Sequence, residues 1–274
     1  MENFTREKPS PPSPPPPWAH RLEKPSLERG AVAVGERLTE LRTEPFAAEQ
    51  EWEVEGVPVL SAQAQVPLPV PAEGRTARRI ERFYRLQCRS FLRYCERCLY
   101  PQAAAEHRAA LEASRPLPMS RAEMSYRVTY NEGGLWSLYT QVRETVGPGP
   151  ATIVRRGDTW DLAAGYPVPL KDFFPAGTAW KKRLLAHAAE EIARRERAGA
   201  GRWREGWRQG LRRFNPQDFY LTEEGLAYFW PMYALAPASE GVAVFLLPYG
   251  GEGGPARGMG LPSLSKASHP SEEG

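Results

Sequence analysis

Residues 218–249 read DFYLTEEGLAYFWPMYALAPASEGVAVFLLPY, and their turn chemistry decides the fold class. Residues 219–222 are a short β-prone run. Glu223, Glu224 and Gly225 supply a polar turn with one position tolerant of positive φ, and residues 226–230 return as a second strand. The pair is a hairpin. Pro231 removes a backbone donor and so fits a strand end or an edge, and Pro237 makes the residue before it extended. Residues 242–247 form a continuous apolar run bounded by Gly241 and Pro248, the pattern of a strand covered on both faces near a sheet centre.

Working outward, Met124, Tyr126, Val128 and Tyr130 alternate with Ser125, Arg127 and Thr129. That alternation predicts a strand buried on one side, turning through residues 131–134 into residues 135–146. A third run, residues 151–162, follows a Gly and Pro loop, and the three together predict an antiparallel meander. Residues 52–59 and 60–68 are shorter candidate strands. Over residues 76–99, Ile80, Phe83, Tyr84, Cys88, Phe91, Leu92, Tyr94, Cys95, Cys98 and Leu99 fall on one half of a helix and the arginines on the other. Further helices are expected over residues 102–114, 178–197 and 203–213. The order of elements is α+β: a mixed, mostly antiparallel sheet with a long N-terminal amphipathic helix and further helices packed on it.

Phe219, Tyr220, Leu221, Thr222, Gly225, Phe229, Tyr233, Ala236, Pro237, Gly241, Pro248 and Tyr249 follow a family pattern, as do Asn131, Gly134, Leu135, Ser137, Leu138 and Tyr139. Gly157, Thr159, Trp160, Asp161 and Leu162, then Leu170, Asp172, Phe173 and Phe174, continue it. Over roughly residues 126–249 the chain resembles the C-terminal domain shared by RsiV-type anti-sigma factors and PdaC-type peptidoglycan deacetylases, catalogued as a domain of unknown function. The resemblance implies a non-catalytic binding or sensing module, related to the cell wall or to lysozyme, with a protein or glycan ligand. Family members often carry a Gly-Gly-Ala-His-like segment where this chain has Gly147, Pro148, Gly149 and Pro150, so no role of that histidine is carried over.

Length and composition divide the 274 residues into a Pro-rich disordered tail over residues 1–47, a single α+β body over 48–249, and a Gly-, Ser- and Pro-rich disordered tail over 250–274. The Pro run around Trp18 could also serve a Pro-binding groove, although such composition is commonly just solvated. No window reaches the roughly 18–20 apolar residues of a membrane helix, and no secretion signal opens the chain. A cytoplasmic protein is expected on those grounds, whereas the family resemblance implies exposure outside the cell.

Net charge is only +3, yet residues 75–97 carry eight Arg against Glu81 and Glu96, and residues 181–213 carry eleven basic against four acidic residues. Such asymmetry suits an anionic partner, which makes anion or nucleic-acid binding by Arg-rich helices the alternative function. The plainer cause is that Lys makes up only 6 of 36 basic residues, as a GC-rich genome writes solvated helix faces. No recognised nucleic-acid motif supports that partner.

Chemistry-bearing residues are sparse. Cys88, Cys95 and Cys98 share a helix face, and one straight helix cannot wrap three thiolates around zinc even with His107 as a fourth ligand. They read as small core fillers, so no metal and no cofactor is expected. His187 lies on an expected helix with no nucleophile elbow to serve, so a structural or surface role is expected for it. Asp158 and Asp161 read as turn residues, Glu223 and Glu224 as a hairpin tip, and no phosphate loop, dinucleotide fingerprint or HExxH helix occurs. No catalytic residue is assigned, and only a grouping of Asp158, Asp161 or Asp172 with His187 would revive a hydrolase. Aromatics are the better lead: Tyr228 and Trp230 alternate with Phe229, so one set faces the core and the other, where it stays accessible with Pro231 and Tyr233 beside it, would anchor a protein groove or sugar ring, although burial in the core is the commoner fate of such residues.

Overall fold

The computed structural model of this protein describes residues 39–147, 149–250 and 254–256. The first strands form one long hairpin, β1 (Thr43–Val54) with β2 (Val57–Pro69), closed by Glu55 and Gly56 at φ 52° and 79°. A two-residue turn with both residues at positive φ matches the twist of the strands it joins. The sequence reading ran its first strand through this turn and broke the pair at residue 60, inside β2. β1 also begins within the stretch assigned to the N-terminal tail; the rest of that assignment, residues 1–38 with Trp18, lies outside the described residues.

After β2 comes α1 (Gly74–Tyr94), which buries Ala77, Ile80, Tyr84, Cys88 and Phe91. The helix does not stop there. It widens into a five-residue π turn, Cys95–Leu99, and continues as α2 (Tyr100–Glu112), with Pro101 in the first turn after the widening. The whole crossover returns the chain parallel to β2 as β3 (Ser120–Glu132). β4 (Leu135–Thr145), β5 (Thr152–Asp161) and the two-residue β6 (Tyr166–Pro167) follow antiparallel, giving a sheet ordered β1-β2-β3-β4-β5-β6. The meander read from sequence is β3, β4 and β5.

The second half builds a three-stranded antiparallel sheet, β7 (Phe219–Leu221), β8 (Gly225–Trp230) and β9 (Ala243–Pro248), in that spatial order. β9 is an edge strand with alternating burial, not the central strand its unbroken apolar run suggested; on its half-buried side Val244 and Leu246 pack with Tyr220, Ala227 and Phe229. α3 (Trp180–Arg197) and the short α4 (Trp207–Leu211) cover one face. α4 holds only the middle of the helix expected over 203–213, with Gly206 in the left-handed region at its start.

Two close polar and backbone contacts help to join the sheets. A Cβ built on Gly157 would lie 1.8 Å from the Phe219 carbonyl oxygen, so β7 crosses β5 at a point only glycine allows. The Ser137 hydroxyl, fully buried, accepts the Leu221 N–H at 2.8 Å and lies 2.7 Å from the Thr159 hydroxyl. The chain then turns back on itself: Ala256 N–H donates to the Phe173 carbonyl at 2.9 Å, Gly250 N–H to the Pro255 carbonyl at 3.1 Å, and Gly254 and Pro255 are buried. Residues 254–256 therefore belong to the body, although they were assigned to the C-terminal tail. Among the described residues no helix is long and apolar enough to cross a membrane.

Candidate functional site

The structure takes Tyr228 and Trp230 off the surface: both are 0 % exposed, and Phe229 between them is 1 % exposed. The alternation was real, but both faces of β8 are covered. Leu184, Ala188, Trp207, Leu211 and Phe214 pack on the Tyr228 and Trp230 side, and Tyr139 of the large sheet packs with Phe229 and Tyr220 on the other. Of the four residues expected to bind, only Pro231 is exposed, and Tyr233 is half-buried at φ 68°, its carbonyl accepting a hydrogen bond from Arg204.

Tyr228 instead ties α3 to the sheet. Its hydroxyl donates to the Leu184 carbonyl at 3.1 Å and stands 2.6 Å from His187 Nδ1. With its one proton given to Leu184, the hydroxyl accepts from Nδ1–H, which fixes the imidazole tautomer. Burial lowers the His187 pKa and raises that of Tyr228, so both are neutral near pH 7. His187 thus holds a helix in place. Asp158 lies in the other core beneath α1, paired with Arg156 at 3.3 Å, while Asp161 caps a turn through the N–H groups of Ala163 and Ala164. Among the described residues no three His, Cys, Asp or Glu side chains are grouped to hold a metal.

A polar seam runs between α1 and the large sheet, and sequence reasoning missed it. Trp160 Nε1 donates to the Tyr84 hydroxyl at 3.2 Å, Gln87 donates to Thr140 at 3.0 Å, and the Tyr94 hydroxyl donates to Glu144 at 3.1 Å. Burial pushes the Glu144 carboxyl up to about 7, the tyrosine bond only partly opposing it. Burial, with Glu144 nearby, also pushes the Cys95 thiol up to about 12, so it is no nucleophile at neutral pH. Cys88 and Cys95 are buried and Cys98 half-buried, all three free. The available signal was parity: Trp136, Leu138, Thr140, Val142 and Glu144 share one face of β4, and the first two are inward by necessity.

The surface feature of the second half is a groove of about 280 Å³ beside the start of β9, lined by Arg195, Arg202, Trp203, Glu240, Val242 and Val244. Its walls are tied together by ring and hydrogen-bond contacts. Trp203 stacks on Phe245 with centroids 6.1 Å apart, and the Arg195 guanidinium lies 5.2 Å from the same ring while Nη2 donates to the Val244 carbonyl. That bond shows that the Val244 backbone points away from β8, as expected of an open strand edge. The loop bearing Pro231 and Tyr233 reaches the groove at Ala236.

Residues 171–250 match the family described as Protein of unknown function (DUF3298). The DUF3298 match thus spans α3, α4, the three-stranded sheet and the groove. A solved structure of a DUF3298 family member from Bacteroides fragilis NCTC 9343 superposes at TM-score 0.56 with 12% identity, over 78% of this chain and 92% of that one. A DUF3298 family protein from Pseudomonas aeruginosa PAO1 gives TM-score 0.48 and 14% identity over 76% and 90%. No curated protein matches the chain. At such identities the likeness is one of fold, and with 78% coverage it extends past the DUF3298 span into the large sheet.

Proposed function

We propose that this protein is a non-catalytic binding or sensing module of the RsiV-like kind, and that a protein ligand docks in the groove beside β9. One observation carries the reading: the open β9 edge at Val244 lies beside a pre-stacked Trp203–Phe245 pair and two arginines. An extended segment adding to that edge would gain main-chain hydrogen bonds, with Trp203 and Arg195 supplying the aromatic and charged anchors common in such interfaces. The likeness to RsiV-type and PdaC-type C-terminal domains supports a ligand from the cell-wall setting, lysozyme first and peptidoglycan fragments second.

Calorimetry of the full chain against lysozyme and against soluble peptidoglycan fragments tests this. Binding to lysozyme that weakens at least tenfold in Trp203→Ala is the expected result. Folded protein that gives heat with neither ligand, or binding that Trp203→Ala leaves unchanged, removes the proposal.

A further inference from the structure

At 100° per residue, Arg75, Arg78, Arg82, Arg89 and Arg93 of α1 fall within an arc of about 80°, with Leu86 filling the gap in the row. The row is about 27 Å long at 1.5 Å per residue. All five arginines are exposed, Leu86 is 47% exposed, and no acidic residue of α1 shares the arc. Among the described residues none of the five is ion-paired, whereas the flanking Arg85 is bound to Glu81 and Arg79 to the Gly165 carbonyl. A shallow groove of about 360 Å³ follows the row past Arg78, Arg82, Leu86 and Arg89, with the ion-paired Glu81 and Arg85 also lining it. Helix stability alone does not call for this: like charges at i,i+4, such as Arg78 with Arg82 and Arg89 with Arg93, repel.

We infer that this stripe is a docking surface for the phosphodiester backbone of a nucleic-acid strand, read without regard to sequence. Guanidinium groups pair with phosphate oxygens in two-pronged fashion, and a single file of them fits a linear polyanion. A planar anionic bilayer fits less well. β1 flanks the helix, with Arg85 4.8 Å from the Phe46 ring, and Glu44, exposed on the same face of β1 as Phe46, would repel a charged plane yet leave a narrow track clear. An acidic protein is disfavoured because Leu86 is the one apolar anchor in the row. This surface lies on the opposite half of the chain from the groove at β9, so it stands or fails independently of the proposed function.

The test is fluorescence anisotropy of a labelled thymidine 20-mer with the full chain between 50 and 200 mM salt. Five phosphate contacts predict a log–log salt slope of about −3.5, or roughly a hundredfold loss of affinity over that range. In R78Q/R82Q/R89Q the slope should fall to about −1.5. K182Q/R212Q/R213Q removes the same charge from exposed positions elsewhere and should keep the wild-type slope. A salt-insensitive or absent signal overturns the inference, as do equal effects of the two triple variants or binding confined to vesicles containing phosphatidylserine.

Discussion

Glu144 is a carboxyl group closed in beneath Tyr94, and its titration makes stability depend on pH. Its folded pKa of about 7 stands above the ordinary 4.5, so between those values the folded chain holds a proton that the unfolded chain has released. Stability from this residue is therefore full below about pH 4.5 and is lost as pH rises through 7, by about 3 kcal/mol in all. Glu144→Gln keeps an acceptor for Tyr94 and removes the charge, so the variant should gain on wild type by about that amount between pH 5 and pH 8 in urea melts. A difference that stays constant with pH would show that Glu144 is not neutral in the fold. His187 works in the opposite direction: its lowered pKa means stability is lost as pH falls through the imidazole range. Neither role was legible in the sequence, because burial of a polar residue depends on which element covers it. Tyr228 and Trp230 show the same limit: alternation placed them on one face, and only α3 and α4 decide that the face is closed.

At the scale of elements, the chain was legible where a local signal and its tertiary partner coincide. The apolar half of α1, the β3–β4–β5 meander and the Gly225 hairpin each carry their own turn or period, and each forms where expected. What depended on a distant partner was hidden, including the parallel pairing of β2 with β3 across the helical crossover and the edge position of β9. The seating of β7 on β5 is the sharpest case. Gly157 was singled out by family pattern, yet its physical reason is a backbone carbonyl from 62 residues on, lying where a side chain would begin. Gly157→Ala must push Phe219 away and disturb the Ser137 bond to Leu221. The expected cost is about 1–3 kcal/mol in chemical denaturation, with loss of near-ultraviolet signal from the Tyr139–Tyr220 contact. A variant as stable as wild type would mean that the sheets do not approach this closely.

The described residues hold two large cores, one between α1 and the large sheet, the other between α3, α4 and the small sheet, with a smaller cluster of Tyr220, Ala227 and Phe229 against Tyr139, and β4 contributes to both large cores through Leu135 and Trp136. Their joint is mostly made by short strands, so chain ends that brace it matter more than their length suggests. The segment at residues 254–256 is such a brace: it reaches from β9 back to Phe173, which itself packs against Phe219 of β7 with centroids 5.8 Å apart. Composition had placed this segment in a solvated tail because Gly and Pro contribute no apolar pattern; what buries them is backbone hydrogen bonding, which composition does not report. A chain ending at Tyr249 should therefore melt below one ending at residue 256. Loss of the Ala256 bond to the Phe173 carbonyl, with the burial of Gly254 and Pro255, amounts to about 1–2 kcal/mol, or roughly 3–6 °C in a body of this size. Calorimetric scans of the two truncations decide the matter. Coincident melting curves would show that residues 254–256 rest on the body without holding it together.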